Sequence, residues 1–184
     1  TAIRFIETDS KTKIIGISSS LPKEGKTLIN TLTALTISEL GKKVLLIDAD
    51  LRKPQIHKIL NIDNIRGLSN LLIDKNLKWQ DLKINLPGYK NLDIISAGII
   101  PPDPTRLLDS KRMSSLIKEW KQSDELDYII IDTSPILGIT DASIIATQID
   151  GLILLVSINN VDRNLPKQSY KILKSINANV LGLI

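Results

Sequence analysis

Hydrophobic and polar positions along the chain fall into two kinds of block. Short, nearly continuous apolar runs occur at Ile14 to Ser18, Val44-Leu45-Leu46-Ile47, Leu92-Asp93-Ile94-Ile95, Tyr128-Ile129-Ile130-Ile131, Gly151 to Val156 and from Val180 onward. Runs of that length and character predict strands covered on both faces, as in a parallel sheet. Between them lie longer stretches with helical periodicity: Lys26 to Leu40, Lys111 to Lys121, Asp141 to Gln148 and Leu165 to Ile176. The first carries Leu28, Leu32, Leu35 and Leu40 at near-helical spacing and ends at Gly41, a natural C′ residue. Shorter helical pieces are expected at His57 to Leu60, from Gly67 through Leu72, around Asp81-Leu82 and at Thr105 to Leu108. The segment 97–104, fixed by Pro101, Pro102 and Pro104, reads as a loop. Thr1 to Glu7 reads as a helical tail.

Strands alternating with helices imply right-handed crossovers and a doubly wound, mainly parallel α/β sheet, with ligands gathered at the carboxyl ends of the strands. The chain has 184 residues, 42% of them hydrophobic, which suffices for one domain, 1–184, with a full core. Its start inside a helical pattern and its end inside an apolar strand read as truncation on both sides. The net charge of +4 is spread over scattered lysines rather than a basic stripe, so no nucleic-acid partner is expected. The chain contains no cysteine, which excludes disulfides, zinc-thiolate sites and thiol catalysis. No apolar run approaches the roughly 20 residues of a membrane span, so the chain as given reads as soluble.

The chemistry concentrates at three strand ends. Lys13 to Thr27 passes from an apolar strand through a small-residue loop into Gly25-Lys26-Thr27 and a helix. A loop entering a helix N-terminus aims several backbone N–H groups at one place, as polyphosphate requires. Gly25 permits close approach of the backbone, Lys26 can reach the β and γ oxygens, and the Thr27 hydroxyl suits Mg²⁺. The usual first glycine of such a loop is Ser20 here, and Pro22 lies inside it. An ordinary strand-turn-helix junction with a chance Gly-Lys-Thr is the competing reading. Asp48, Asp50 and Asp132 weigh against it, because each follows a buried strand on the side of the sheet where the loop lies. Phosphoryl transfer needs carboxylates there, to hold a metal ion and to accept a proton.

The string Ser19-Ser20-Leu21-Pro22-Lys23-Glu24-Gly25-Lys26-Thr27 resembles the Walker A motif of the bacterial tyrosine kinases, autokinases of capsule and exopolysaccharide export. Val44 to Pro54 resembles their Walker A′, and Tyr128 to Pro135 their Walker B. Pro54-Gln55-Ile56-His57, Gly67-Leu68-Ser69 and Gly98 to Pro104 match the family pattern as well, so the likeness covers nearly the whole chain. It implies a P-loop NTPase fold of the deviant Walker kind that binds ATP or ADP with Mg²⁺. Ser20, Pro22, Lys23, Glu24, Gly25, Lys26, Thr27 and Leu28 would surround the nucleotide. Lys26 would hold the β and γ phosphates, Asp48 would act as base, and Thr27, Asp50 and Asp132 would hold the metal. The roles of Asp48 and Asp50 are exchangeable at this stage. The resemblance further implies a homo-oligomer that offers tail tyrosines to neighbouring subunits. It also implies a membrane adaptor, fused or separate, and a place at the cytoplasmic face of the inner membrane.

Two positions depart from the family pattern: Lys23 stands where glycine is common, and Arg106 where an acidic residue is. The upstream oligomerisation motif and the C-terminal tyrosine cluster would lie beyond the ends of this chain. Arg52 suits a phosphate, interface or surface contact. His57, Trp79 and Trp120 read as packing residues, and Asp141 as a helix cap in preference to a pocket residue. Two other functions compete. One is a partitioning or septum-site ATPase, but such proteins carry a lysine five residues before the Walker lysine, where this chain has Leu21. The other is a non-catalytic, nucleotide-binding scaffold that controls chain length.

Overall fold

The computed structural model describes residues 12–158 and 162–184; the tail expected at Thr1 to Glu7 lies outside them. Seven strands form one sheet: β1 (Ile14–Ser19), β2 (Val44–Asp48), β3 (Ile84–Asn85), β4 (Leu92–Ile95), β5 (Tyr128–Asp132), β6 (Gly151–Leu155) and β7 (Val180–Leu183). Their order is β3-β4-β2-β5-β1-β6-β7, parallel throughout except for the antiparallel edge strand β3. The apolar runs thus form the expected parallel sheet. Strand β3 has no counterpart in the sequence reading, because two residues are too few to carry a period.

Alternate residues of each strand feed two cores. Leu45, Ile47, Ile129 and Ile131 face a larger one, and Val44, Leu46, Ile15 and Ile130 a smaller one. The larger core is closed by α3 (Leu68–Ile73), α5 (Lys111–Gln122), α6 (Asp141–Ala146) and α7 (Asn164–Ser175). Trp120, anchored on α5 beside Met113 and Leu116, and Trp79 are wholly buried there, as packing residues should be. Each such side chain contributes about 1.5–3 kcal/mol or more by leaving water. The smaller core lies under α1 (Lys26–Glu39) and α2 (Ile56–Leu60). The remaining helix, α4 (Pro104–Leu108), starts after the proline-rich loop with Asp103 accepting a hydrogen bond from the Arg106 N–H.

The orientation of α1 is the reverse of what its leucines suggest. Leu28 is 49% exposed and Leu32 48%, while the buried face consists of Lys26, Thr27, Asn30, Thr31, Ala34, Ile37 and Ser38. The loop from β1 fixes this. Lys26 and Thr27 must face the strand ends, so positions one and two turns further on face the sheet with them; Leu28 and Leu32 turn outward, and Leu35 is half-buried at the edge of the smaller core. The helix ends as expected: Gly41 adopts φ 84°, its N–H reaches Ser38 O, and the Lys42 N–H reaches Ile37 O, a Schellman closure.

Candidate active site

Strand β5 lies between β1 and β2, in register so that Asp132 stands beside both Ile17 and Asp48. That order brings the phosphate-loop candidate, which follows β1, to the carboxylates that end β2 and β5. Lys26 projects into the same space. Its Nζ is 3.0 Å from Asp50 Oδ2, 3.7 Å from Asp132 Oδ1 and 3.3 Å from Thr27 Oγ1. The three aspartates are nearly or fully buried.

Each carboxylate is held differently. Asp48 Oδ1 accepts from the Asp50 N–H, and its Oδ2 from the N–H groups of Gln55 and Ile56, so it closes the turn leading into α2. Asp50 Oδ1 accepts from the Lys53 N–H, leaving Oδ2 to Lys26. Asp132 Oδ1 accepts from Asn30 Nδ2, which also donates to Ile17 O and Lys26 O. Its Oδ2 is buried with no hydrogen-bond partner among the described residues. Asn30 ties the helix to the strand ends and escaped the sequence reading. Its signal was a polar residue one turn after Lys26, on the side that the loop turns inward.

Burial is the largest influence on the acidic pair. It pushes Asp48 up to about 8, helped by the charge of Asp132 and opposed by the Ile56 N–H. It pushes Asp132 up to about 6 against the pull of Lys26. Burial disfavours the Lys26 ammonium, but the charges of Asp132 and Asp50 outweigh it and hold the lysine above its ordinary value.

The loop itself is tied down on several sides. Gly25 takes φ 94° and precedes α1, and Lys23, where the family has glycine, takes φ 68°. The left-handed backbone is therefore kept without the residue that favours it, at a cost of about 1–2 kcal/mol. Glu24 accepts from the N–H groups of Leu21 and Ser157, and the Ser169 hydroxyl on α7 donates to Ser20 Oγ at 2.9 Å. Ser20, Glu24, Gly25, Lys26 and Thr27 thus share one structured loop and helix start. Pro22, Lys23 and Leu28 lie on its exposed side.

Beyond the loop, the structure gives Arg52 and Asp141 to each other. Arg52 Nε lies 2.7 Å from Asp141 Oδ2. The expected cap is corrected here: Thr140 precedes α6, and Asp141 is the first helical residue with its carboxylate turned to Arg52 and Thr105. That pairing joins residues 89 apart, and no local pattern announces it. His57 is half-buried and held below its ordinary value by burial and by Lys58. Arg106 lies exposed on α4.

Thr27, Asp50 and Asp132 fit a divalent cation on two grounds. Asp132 Oδ2 is a buried acceptor with no hydrogen-bond partner among the described residues, and the Asp50 and Asp132 carboxylates both face one lysine. They do not converge as a ready-made ligand cluster among the described residues. That suits Mg²⁺, which keeps several of its waters.

Comparison with known proteins places the chain among P-loop NTPases. A family model described as ParA, NUBPL iron-transfer P-loop NTPase, matches residues 10–184. The chain is 36% identical over 184 residues to the tyrosine-protein kinase YwqD of Bacillus subtilis, covering all of this chain and 76% of that one. The chain belongs to the bacterial tyrosine-kinase family of P-loop NTPases. A putative tyrosine-protein kinase from the cps region of Klebsiella pneumoniae is 37% identical, and the chain covers 25% of that longer relative. The kinase domain of the Escherichia coli tyrosine kinase ETK superposes with a TM-score of 0.89 at 28% identity, covering 99% of this chain and 70% of that domain. No helix among the described residues is long and apolar enough to cross a membrane.

Proposed function

We propose that this chain is the catalytic domain of a protein-tyrosine autokinase that transfers the γ-phosphoryl group of Mg·ATP and regulates capsule or exopolysaccharide assembly. The observation that carries the reading is the placement of Lys26, Thr27, Asp48, Asp50 and Asp132 around one space by the order β2-β5-β1. Leu21, where partitioning and septum-site ATPases have lysine, favours the kinase over that branch.

In the mechanism, backbone N–H groups of residues 20–28 cradle the phosphates, and Lys26 leaves Asp50 to neutralise the β and γ oxygens. Thr27, Asp50 and Asp132 would hold Mg²⁺, which would supply charge neutralisation when bound. Asp48 is pushed up to about 8, so it carries a proton in most molecules at neutral pH and acts as base only once it has ionised. Exchange of the two aspartates is favoured by one observation: Asp48 is 0% exposed with both oxygens on backbone N–H groups, whereas Asp50 stands beside Lys26.

The acceptor tyrosines belong to segments outside this chain. Tyr89 and Tyr128 pack against the smaller core, and Tyr170 sits on α7. The extended protein forms a homo-oligomer whose tails enter neighbouring sites, at the inner face of the cytoplasmic membrane. The test is transfer from radiolabelled ATP to a chain extended at both ends, beside the present chain. Phosphotyrosine on the extended chain, with nucleotide binding but little phosphorylation of the shorter one, is expected. Hydrolysis without phosphotyrosine would favour the ATPase, and strong labelling of Tyr89 or Tyr170 would overturn the placement of the acceptors.

A further inference from the structure

Three loops at the carboxyl rim of the sheet meet at one buried carboxylate. Asp141, 1% exposed, accepts at Oδ2 from Arg52 Nε at 2.7 Å. Its Oδ1 accepts from Arg52 Nη2 at 3.3 Å and from the Thr105 hydroxyl at 2.6 Å. The ring closes because Arg52 Nη2 also donates to Thr105 Oγ1 at 2.7 Å. Arg52 stands two residues after Asp50 in the turn that follows β2. Thr105 is the second residue of α4, just after the proline loop, and Asp141 opens α6 after β5. A guanidinium that meets a carboxylate through two nitrogens is fixed in orientation as well as in position.

The turn carrying Asp50 is thereby pinned at both ends. Upstream, the Asp50 N–H is tied to Asp48; downstream, the Lys53 N–H bonds Asp50 Oδ1, and between them Arg52 is tied to Asp141. The geometry points to Arg52, Asp141 and Thr105 as a positioning unit that sets where the Asp50 carboxylate stands during phosphoryl transfer. None of the three hydrogen-bonds to Lys26, Asp48, Asp50 or Asp132 among the described residues; they hold the turn, and the Arg52 guanidinium also lies close enough to feel the Asp50 charge. The role rests on the proposed kinase function, since positioning supplies most of the catalysis in that reaction. It also joins the acidic turn to the proline loop through Thr105, so a disturbance of that loop is passed to Asp50.

Thr105→Val tests the unit cleanly, because it keeps the side-chain shape, removes the shared hydroxyl and leaves Arg52 on Asp141. Measured in the full-length protein, it is expected to lower kcat for tyrosine phosphorylation on the order of 10-fold, since small misplacements in such sites are costly. Affinity for Mg·ADP should stay within about twofold, because the phosphate loop is untouched. Hydrogen exchange at the Lys53 amide should quicken, and Thr105→Ser should restore both the rate and the protection. Wild-type kcat in Thr105→Val, or a loss that follows thermal stability and is not rescued by Thr105→Ser, would overturn the assignment. If the wild-type protein transfers nothing to tyrosine, the kinase reading fails separately. Lys53 exchange then decides the positioning unit: quickened by Val and restored by Ser supports it, and unchanged refutes it.

Discussion

Replacing Lys26 by Met removes the ammonium that Asp50 and Asp132 share, at 3.0 and 3.7 Å. Beyond abolishing catalysis, this should make the stability of the nucleotide-free protein fall more steeply with pH than it does in the wild type. Two unit charges about 4 Å apart attract by about 4 kcal/mol at an effective dielectric constant near 20, and breaking a buried pair costs about 3–5 kcal/mol. The Lys26 side chain is only 9% exposed, so solvent screens little of this. The penalty holds only while the carboxylates are ionised. An acid whose folded pKa lies above its unfolded value binds its proton more tightly when folded, so its contribution to stability falls as pH rises between the two. Asp132, at about 6, and Asp48, at about 8, are both of this kind, and loss of Lys26 pushes them higher still. The difference between wild type and Lys26→Met should therefore be smaller near pH 5, where Asp132 and Asp48 carry protons and the pair with Asp50 is the main loss, and approach about 3–5 kcal/mol above about pH 8. Denaturant unfolding of both proteins at the two pH values, with chelator present, measures it. Phosphotransfer should fall on the order of 10²-fold or more at either pH. An equal stability penalty at both pH values would refute the placement of the lysine among ionisable carboxylates.

Asp132→Asn should weaken Mg²⁺-dependent nucleotide binding by about tenfold or more in calorimetric titration, because it neutralises an acceptor that has no other partner. Asp48→Asn should lower kcat more than affinity, but it also puts an amide donor against backbone N–H groups, at a stability cost of about 1–3 kcal/mol. Equal loss of Mg·ATP affinity in the two variants would contradict the division of labour. Lys23→Gly should relieve the left-handed backbone at φ 68° and raise stability by up to about 1 kcal/mol in thermal unfolding. Gly67→Ala should unfold the rim or cost more than about 3 kcal/mol, since a Cβ there would lie 2.0 Å from Ser96 O. A wild-type melting curve for Gly67→Ala would mean that this chain crossing is not as tight as it stands.

What the sequence made legible was whatever depended on neighbours close in the chain. Val44 to Ile47 and Ile129 to Ile131 announce their burial by unbroken apolar runs, and Gly41 marks its helix end by the φ it must adopt. The loop around Gly25 and the aspartates at the strand ends were readable because the topology of a doubly wound sheet fixes where strand ends gather. Contacts between distant residues were not readable. Asp141 looks like a cap until Arg52 is brought to it from another loop, and Asn30 looks like an ordinary helix residue until Asp132 stands beside it. The leucines of α1 misled for the same reason. Periodicity locates a face, but the loop before the helix decides which face turns inward.

That reversed helix changes where the chain can tolerate substitution. Along α1, the inward positions Asn30, Thr31 and Ser38 are small and polar, and all are nearly or fully buried. A bulky hydrophobic residue there, harmless in most helix-sheet seams, would push the helix off the strand ends that it serves. Leu32 looks like core but fills no core space, and an engineer seeking a more soluble protein could exchange it for Glu or Lys while leaving the catalytic floor untouched, whereas the equally exposed Leu28 borders the phosphate loop and has to stay.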